Sequence, residues 1–163
     1  MNRPLHATLN GLEQNVRARS AVLLEQVLVD LLDLASQVKT CHWVTRGPDF
    51  LSLHEYLDKL EGTLRGAADE TAERITALGG QPIGTSRVVA KSTRMEELPD
   101  IFAQTDVLKA LAERLAHLGN EVRSGIHRAA GIDDPVTADI LTGLCATLDK
   151  QLWIVEAWSH PGR

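Results

Sequence analysis

The chain has 163 residues, 44% hydrophobic and 24% charged, with a formal net charge of −5 and only two cysteines. That length suits one domain with a substantial core. The acidic balance excludes bulk attraction to nucleic acid or anionic membrane, and two cysteines supply no disulfide framework. The N-terminal stretch MNRPLHATLNGLEQNV lacks the apolar centre of a signal peptide, and no apolar run approaches the roughly 20 residues that span a bilayer. A soluble, cytoplasmic, all-α protein is expected: Ala and Leu dominate, and Leu, Ala, Glu and Arg favour helix. The whole of 1–163 reads as one domain, with short tails at 1–11 and 159–163.

The first helix is predicted from about Leu12 to Thr45. Val16, Leu23, Leu24, Val27, Leu31, Leu34 and Val38 keep helical spacing. Gly47 and Pro48 break it, and Asp49 is placed to cap the next helix. The second runs from about Phe50 to Leu78, with a core stripe of Leu53, Leu57, Leu60, Leu64, Ala68, Ala72 and Ile75 and a stop at Gly79–Gly80. A long connection, QPIGTSRVVAKSTRMEELPDIF, follows, with one short helix in SRVVAK. The third long helix runs from about Thr105, as N-cap, to Ala129. The fourth runs from about Pro135 to Trp158, with Asp134 as cap and Pro135 in the first helical position. The fold class is a four-helix bundle with a long crossover after the second helix. Cys41 and Cys145 fall inside helical patterns and are expected to be buried, reduced thiols.

A polar stripe interrupts this apolar scheme. His54 and Asp58 lie four apart on the second helix, as do Asp69 and Glu73, and His42 lies shortly upstream. Each pair projects from one face. The eleven-residue step from Asp58 to Asp69 is close to three whole turns, so the pairs share a direction yet lie roughly 16 Å apart. One metal ion cannot touch both pairs of one helix. A second copy, antiparallel across a two-fold axis, brings its Asp69 and Glu73 to the first copy's His54 and Asp58. The positions 54 and 73, and 58 and 69, share one midpoint between Thr63 and Leu64, so a dyad there creates two equivalent sites. Gly62 and Gly66 bracket that midpoint, where close approach of two backbones would explain glycine inside a helix.

Imidazole and carboxylate together suit Fe(II), Mn(II) or Zn(II), and a mixed site with few protein ligands leaves room for water or peroxide. The plainer alternative is a solvated face, with Asp69 and Glu73 paired to Arg65 or Arg74.

The segments KTCHWVTRGPDFLSLHEYLD, ADETAERITALGG with IGT, and TADILTGLCATLDKQLWIVEAW together resemble the Dps proteins, the ferritin-like miniferritins of bacteria and archaea. The likeness covers most of the chain from the first helix onward. It implies a ferroxidase site between two-fold related subunits, with His42, His54 and Asp58 from one and Asp69 and Glu73 from its partner. Trp43 matches a tryptophan beside that site that can intercept oxidising equivalents, although a packed core tryptophan is the plainer role. The family further implies a homo-dodecamer that oxidises Fe(II), preferably with hydrogen peroxide, and stores ferric mineral, with Zn2+ as a competing ion. Carboxylates at three-fold pores admit iron in that family, and Asp133, Asp134 and Asp139 occupy the matching region.

One departure from the resemblance stands out. DNA-condensing members usually carry a lysine-rich tail, whereas the tails here hold only Arg3 and Arg163. Phosphate neutralisation dominates DNA affinity, so direct DNA binding is not expected, and protection of DNA would be chemical. A haem-binding larger cage is disfavoured, because no Glu has a His three residues on and Met1 and Met95 are poorly placed for haem. The remaining alternative is a non-catalytic, nucleoid-packing cage whose stripe is an interfacial salt-bridge network.

Overall fold

A computed structural model describes residues 4–159. Met1, Arg3 and Arg163 lie outside the described residues. Five helices follow in order: α1 Gln14–Val44, α2 Phe50–Ala77, α3 Ser86–Ser92, α4 Gln104–Ala130 and α5 Pro135–Ser159. The four long helices form two packed pairs, α1 with α2 and α4 with α5, and the pairs meet chiefly through α1 and α4. The bundle is all-α; one isolated parallel bridge joins Arg46 to Ala103. Among the described residues no helix is long and apolar enough to cross a membrane.

The expected apolar stripes make the core. Leu24, Leu31 and Leu34 of α1, Leu53 and Leu57 of α2, Leu111, Leu115 and Leu118 of α4 and Leu141 of α5 are all fully buried. Each such side chain contributes about 1.5–3 kcal/mol relative to exposure. Val16, Ala72, Ile126, Ile140 and Leu152 are only half-buried. Cys41 and Cys145 are buried free thiols. Burial pushes the Cys41 thiol up to about 11, against smaller lowering by the Arg114 charge and a backbone hydrogen bond. Cys145 is raised too, first by burial. Both therefore stay protonated near neutral pH.

Helix ends show where tertiary contacts override local signals. α5 starts as its sequence predicts: the Thr137 amide donates to Asp134 Oδ1 (3.0 Å) and the Thr137 hydroxyl to Oδ2 (2.6 Å). α4 does not. Ala103, not Thr105, holds the N-cap position, and Thr105 lies inside the helix. The Arg46–Ala103 bridge sets the entry, with Arg46 N donating to Phe102 O (2.8 Å) and Gln104 N to Arg46 O (2.9 Å). Asp49 holds the N-cap position of α2 but makes no side-chain cap bond; its carboxylate accepts from Gln104 Nε2 (2.9 Å) instead. Gly79 adopts φ +84° at the end of α2, and its carbonyl accepts from His6 N (2.7 Å). The N-terminal segment is thus docked at His6, and Ser159 is helical rather than part of a tail.

Two arginines hold the long crossover. Arg94 donates to the fully buried Asp30 through Nε (2.9 Å) and Nη2 (2.5 Å) and also pairs with Glu121. Arg114 of α4 donates to Gln37 Oε1 (2.6 Å) and to the carbonyls of Glu96 (3.3 Å) and Glu97 (2.7 Å). The Glu96 and Glu97 carbonyls of the otherwise largely exposed crossover are thereby satisfied by the buried Arg114.

Candidate metal centre

The site begins at the turn between α1 and α2. Gly47 lies so close to Gln104 that an added Cβ would sit 2.7 Å from Gln104 Cβ. Asp49 N donates to Gln104 Oε1 (3.2 Å) and Asp49 accepts in return. This clasp fixes how α1 ends and α2 begins. His42, in the last turn of α1, and His54, in the second turn of α2, are stacked with ring centroids 3.7 Å apart and planes 21° apart. His42 Nδ1 lies 2.9 Å from the carbonyl of His54, and His54 Nδ1 lies 2.9 Å from the carbonyl of His42. A carbonyl only accepts, so both Nδ1 atoms carry protons and donate. In the neutral rings both Nε2 atoms then hold free lone pairs, which is how metal-binding imidazoles are commonly oriented. The Phe50 ring lies 5.2 Å from that of His54 and flanks the stack.

Asp58 follows one turn after His54. Its carboxylate pairs with Lys39 Nζ at 2.5 Å. That hydrogen bond, with the Lys39 charge and smaller contributions from the two histidines, holds the Asp58 carboxyl below its ordinary range. Lys39 was not among the residues expected at the site. Its signal was its place three residues before His42, on the same face of α1.

Asp69 and Glu73 lie three turns further along α2, exposed. The arginines offered as their plainer partners are engaged elsewhere. Arg65 pairs with Glu61 at 2.7 Å. Arg74 pairs with Asp134 at 2.8 Å and donates to Thr137 Oγ1 at 3.1 Å. No described residue hydrogen-bonds or ion-pairs with either carboxylate. Among the described residues, no group of three or more His, Cys, Asp or Glu side chains is gathered as a metal site within the single chain. One end of α2 offers two imidazoles and a carboxylate, and the other offers two carboxylates. Nitrogen and oxygen donors of this kind suit borderline divalent metals. Cys41, buried and protonated, does not join them.

Trp43, beside His42, is 69% exposed and is not a packed core residue within the chain. Of the three pore candidates, Asp133 and Asp139 are exposed, Asp133 with φ 61°. Asp134 is fully buried, so its carboxylate does not face solvent in the chain and is withdrawn from the pore candidates. Burial, the largest single influence on it, pushes its carboxyl up. The nearby Ser20 hydroxyl, two hydrogen bonds from Thr137 and the Arg74 charge together outweigh that and hold it below the usual range.

A family model described as "Ferritin-like domain" matches residues 21–160. The "DNA protection during starvation protein" of Agrobacterium fabrum is 37% identical over 153 residues, covering 93% of this chain and 94% of that protein. The structure of DpsC from Streptomyces coelicolor superposes with a TM-score of 0.92 at 29% identity, over 98% of this chain and 94% of that one. Mycobacterium smegmatis Dps gives a TM-score of 0.86 at 31% identity, over 93% of both chains. The protein is therefore a member of the Dps family and carries its ferritin-like fold.

Proposed function

We propose that this chain is an iron-detoxifying miniferritin: two copies meet across a dyad at the middle of α2 and build two equivalent ferroxidase sites. His42, His54 and Asp58 come from one subunit, and the partner's Asp69 and Glu73 complete the set. The observation that carries this reading is the reciprocal clasp of His42 and His54, which spends both Nδ1 protons on carbonyls at 2.9 Å and leaves both Nε2 atoms to a ligand. The bare Asp69 and Glu73, at matching register on the same helix, support it.

Fe(II) is the substrate. The imidazoles bind it without adding charge, and the carboxylates offset its charge and favour the higher-charged Fe(III) product. Hydrogen peroxide takes one electron from each of two Fe(II) ions and two protons, and leaves as two waters. Trp43, exposed next to His42, stands where it can intercept a stray oxidising equivalent. Zn(II) competes for the same donors. Twelve chains, as six such dimers, form a cage for ferric mineral, with Asp133 and Asp139 as candidate pore carboxylates. The whole chain acts as one domain, in the cytoplasm, and protects DNA by removing iron and peroxide together.

The test is complementation. A His54→Ala chain mixed with a Glu73→Ala chain gives mixed dimers in which both lesions fall in one site and the other site is intact. Such dimers should oxidise Fe(II) with peroxide and bind Zn(II) by calorimetry at half the wild-type number of sites, while either variant alone does neither. Mixed dimers as inert as the homodimers would overturn the shared site. Wild-type protein that assembles but leaves Fe(II) unoxidised would favour the non-catalytic cage.

A further inference from the structure

At the opposite end of α1 from the histidines lies a cavity of about 800 Å³, open to solvent, between the first half of α1, the crossover and the end of α4. Arg19, Arg94 and Arg128 line it, with the Gln26 amide beside them and Val22 and Ile132 among its apolar wall. No Asp or Glu lines it, although the chain as a whole is acidic. The three cations are not equivalent. Arg94 is committed to Asp30 and Glu121. Arg19 and Arg128 have no hydrogen-bond or ion-pair partner among the described residues. Arg17, close in sequence, is turned away and spent on the carbonyls of Leu12 and Leu78.

We infer that this cavity is a binding site for a phosphate-bearing anion, held by the guanidinium forks of Arg19 and Arg128. Planar guanidinium groups match phosphate oxygens in pairs, and a concave site without carboxylates does not oppose a dianion. The volume and the apolar wall suit a small organic phosphate better than a bare ion, since ligand pockets of a few hundred to about 1,000 Å³ hold molecules of that size. The site is independent of the metal centre: Arg19 and His42 are 23 residues apart on α1, roughly 35 Å along its axis.

The experiment titrates the assembled protein at low salt with inorganic phosphate, with ADP and with a short DNA duplex. Saturable binding of phosphate or ADP is expected, weakened roughly tenfold or more by Arg19→Gln or Arg128→Gln, as for loss of a charge-assisted bond. Arg123→Gln, which alters an exposed arginine paired with Asp149, should leave it unchanged. Tighter binding of ADP than of phosphate means that the apolar wall is used; equal binding means that only the phosphate is read. DNA retained by the wild type and released by the double variant would keep phosphate recognition and move its source to nucleic acid. A readout that needs no variant is protection of Arg19 and Arg128 from phenylglyoxal by phosphate or ADP, followed by mass spectrometry. Absence of binding by all three probes, unprotected arginines, or unchanged affinity in both variants would overturn the site.

Discussion

Glu73 and Arg74 are neighbours in the chain and opposites in the structure. Arg74 turns inward to Asp134, which is fully buried and also receives the Thr137 amide and hydroxyl. Glu73 turns outward with Asp69, and neither meets a partner among the described residues. One region closes its electrostatics within a single chain, and the other leaves it open. A buried charge pair must be complete where it stands, because an unpaired buried charge costs several kcal/mol. An exposed carboxylate bears no such demand and can wait for a metal ion or a second subunit.

Substitutions on the two sides should separate activity from stability. If Glu73 is a ligand as proposed, Glu73→Ala should lower peroxide-driven Fe(II) oxidation by at least the roughly 10–100-fold that loss of a ligand's supporting partner costs, while chemical denaturation of the chain shifts by less than about 0.5 kcal/mol. Asp134→Ala should do the reverse. Leaving Arg74 without its partner and α5 without its cap should cost about 3 kcal/mol, read by denaturation, with oxidation retained in whatever protein stays assembled. Equal stability losses in the two variants would erase the contrast.

Protonation sharpens the same point. The folded-state carboxyl of Asp134 is held below its ordinary value, so its contribution is fully present above the unfolded carboxyl's value near 4. It is lost as pH falls below that toward the depressed folded value. The stability gap between wild type and Asp134→Asn should therefore be constant from about pH 5 to 7 and narrow below about pH 4. A gap that widens on acidification would assign Asp134 the wrong sign.

The two glycines on α2 offer a smaller effect of divided sign. A Cβ at Gly62 or Gly66 meets nothing within 4 Å in the chain. Leu at either position should then favour the helix by roughly 0.5–1 kcal/mol, yet weaken dimer formation and oxidation if two copies of α2 approach there. Unchanged sedimentation and full activity in both variants would remove the close-approach explanation. The smallest expected effect is on DNA. In the proposed cage, twelve chains of net charge −5 would carry about −60, and repulsion should prevent a gel shift of plasmid DNA near neutral pH. Nicking by Fe(II) and peroxide should still be suppressed in the same tubes.

The four long helices and most of the core were legible from period, because leucines at helical spacing have one face to bury; the crossover was legible from the length of the connection after Gly79–Gly80, since its short helix α3 buries no residue. The register of His54, Asp58, Asp69 and Glu73 was legible for the same reason. The α4 start was not, because the Arg46–Ala103 bridge set its entry over the local signal of Thr105. Nor was Trp43: spacing cannot tell a core tryptophan from an exposed one at a helix end.

By itself, then, the sequence determined what is periodic: which residues share a face of one helix, and therefore that the two ends of the α2 stripe cannot serve one ion within one chain. Only the tertiary structure decided what depends on neighbours distant in the chain. It locked His42 against His54 through their carbonyls, set Lys39 on Asp58, drew Asp134 inward to Arg74 and gathered Arg19 with Arg128. The physical reason is range: helical spacing is set by backbone hydrogen bonds four residues apart, whereas a side chain's partner is set by which helices pack together.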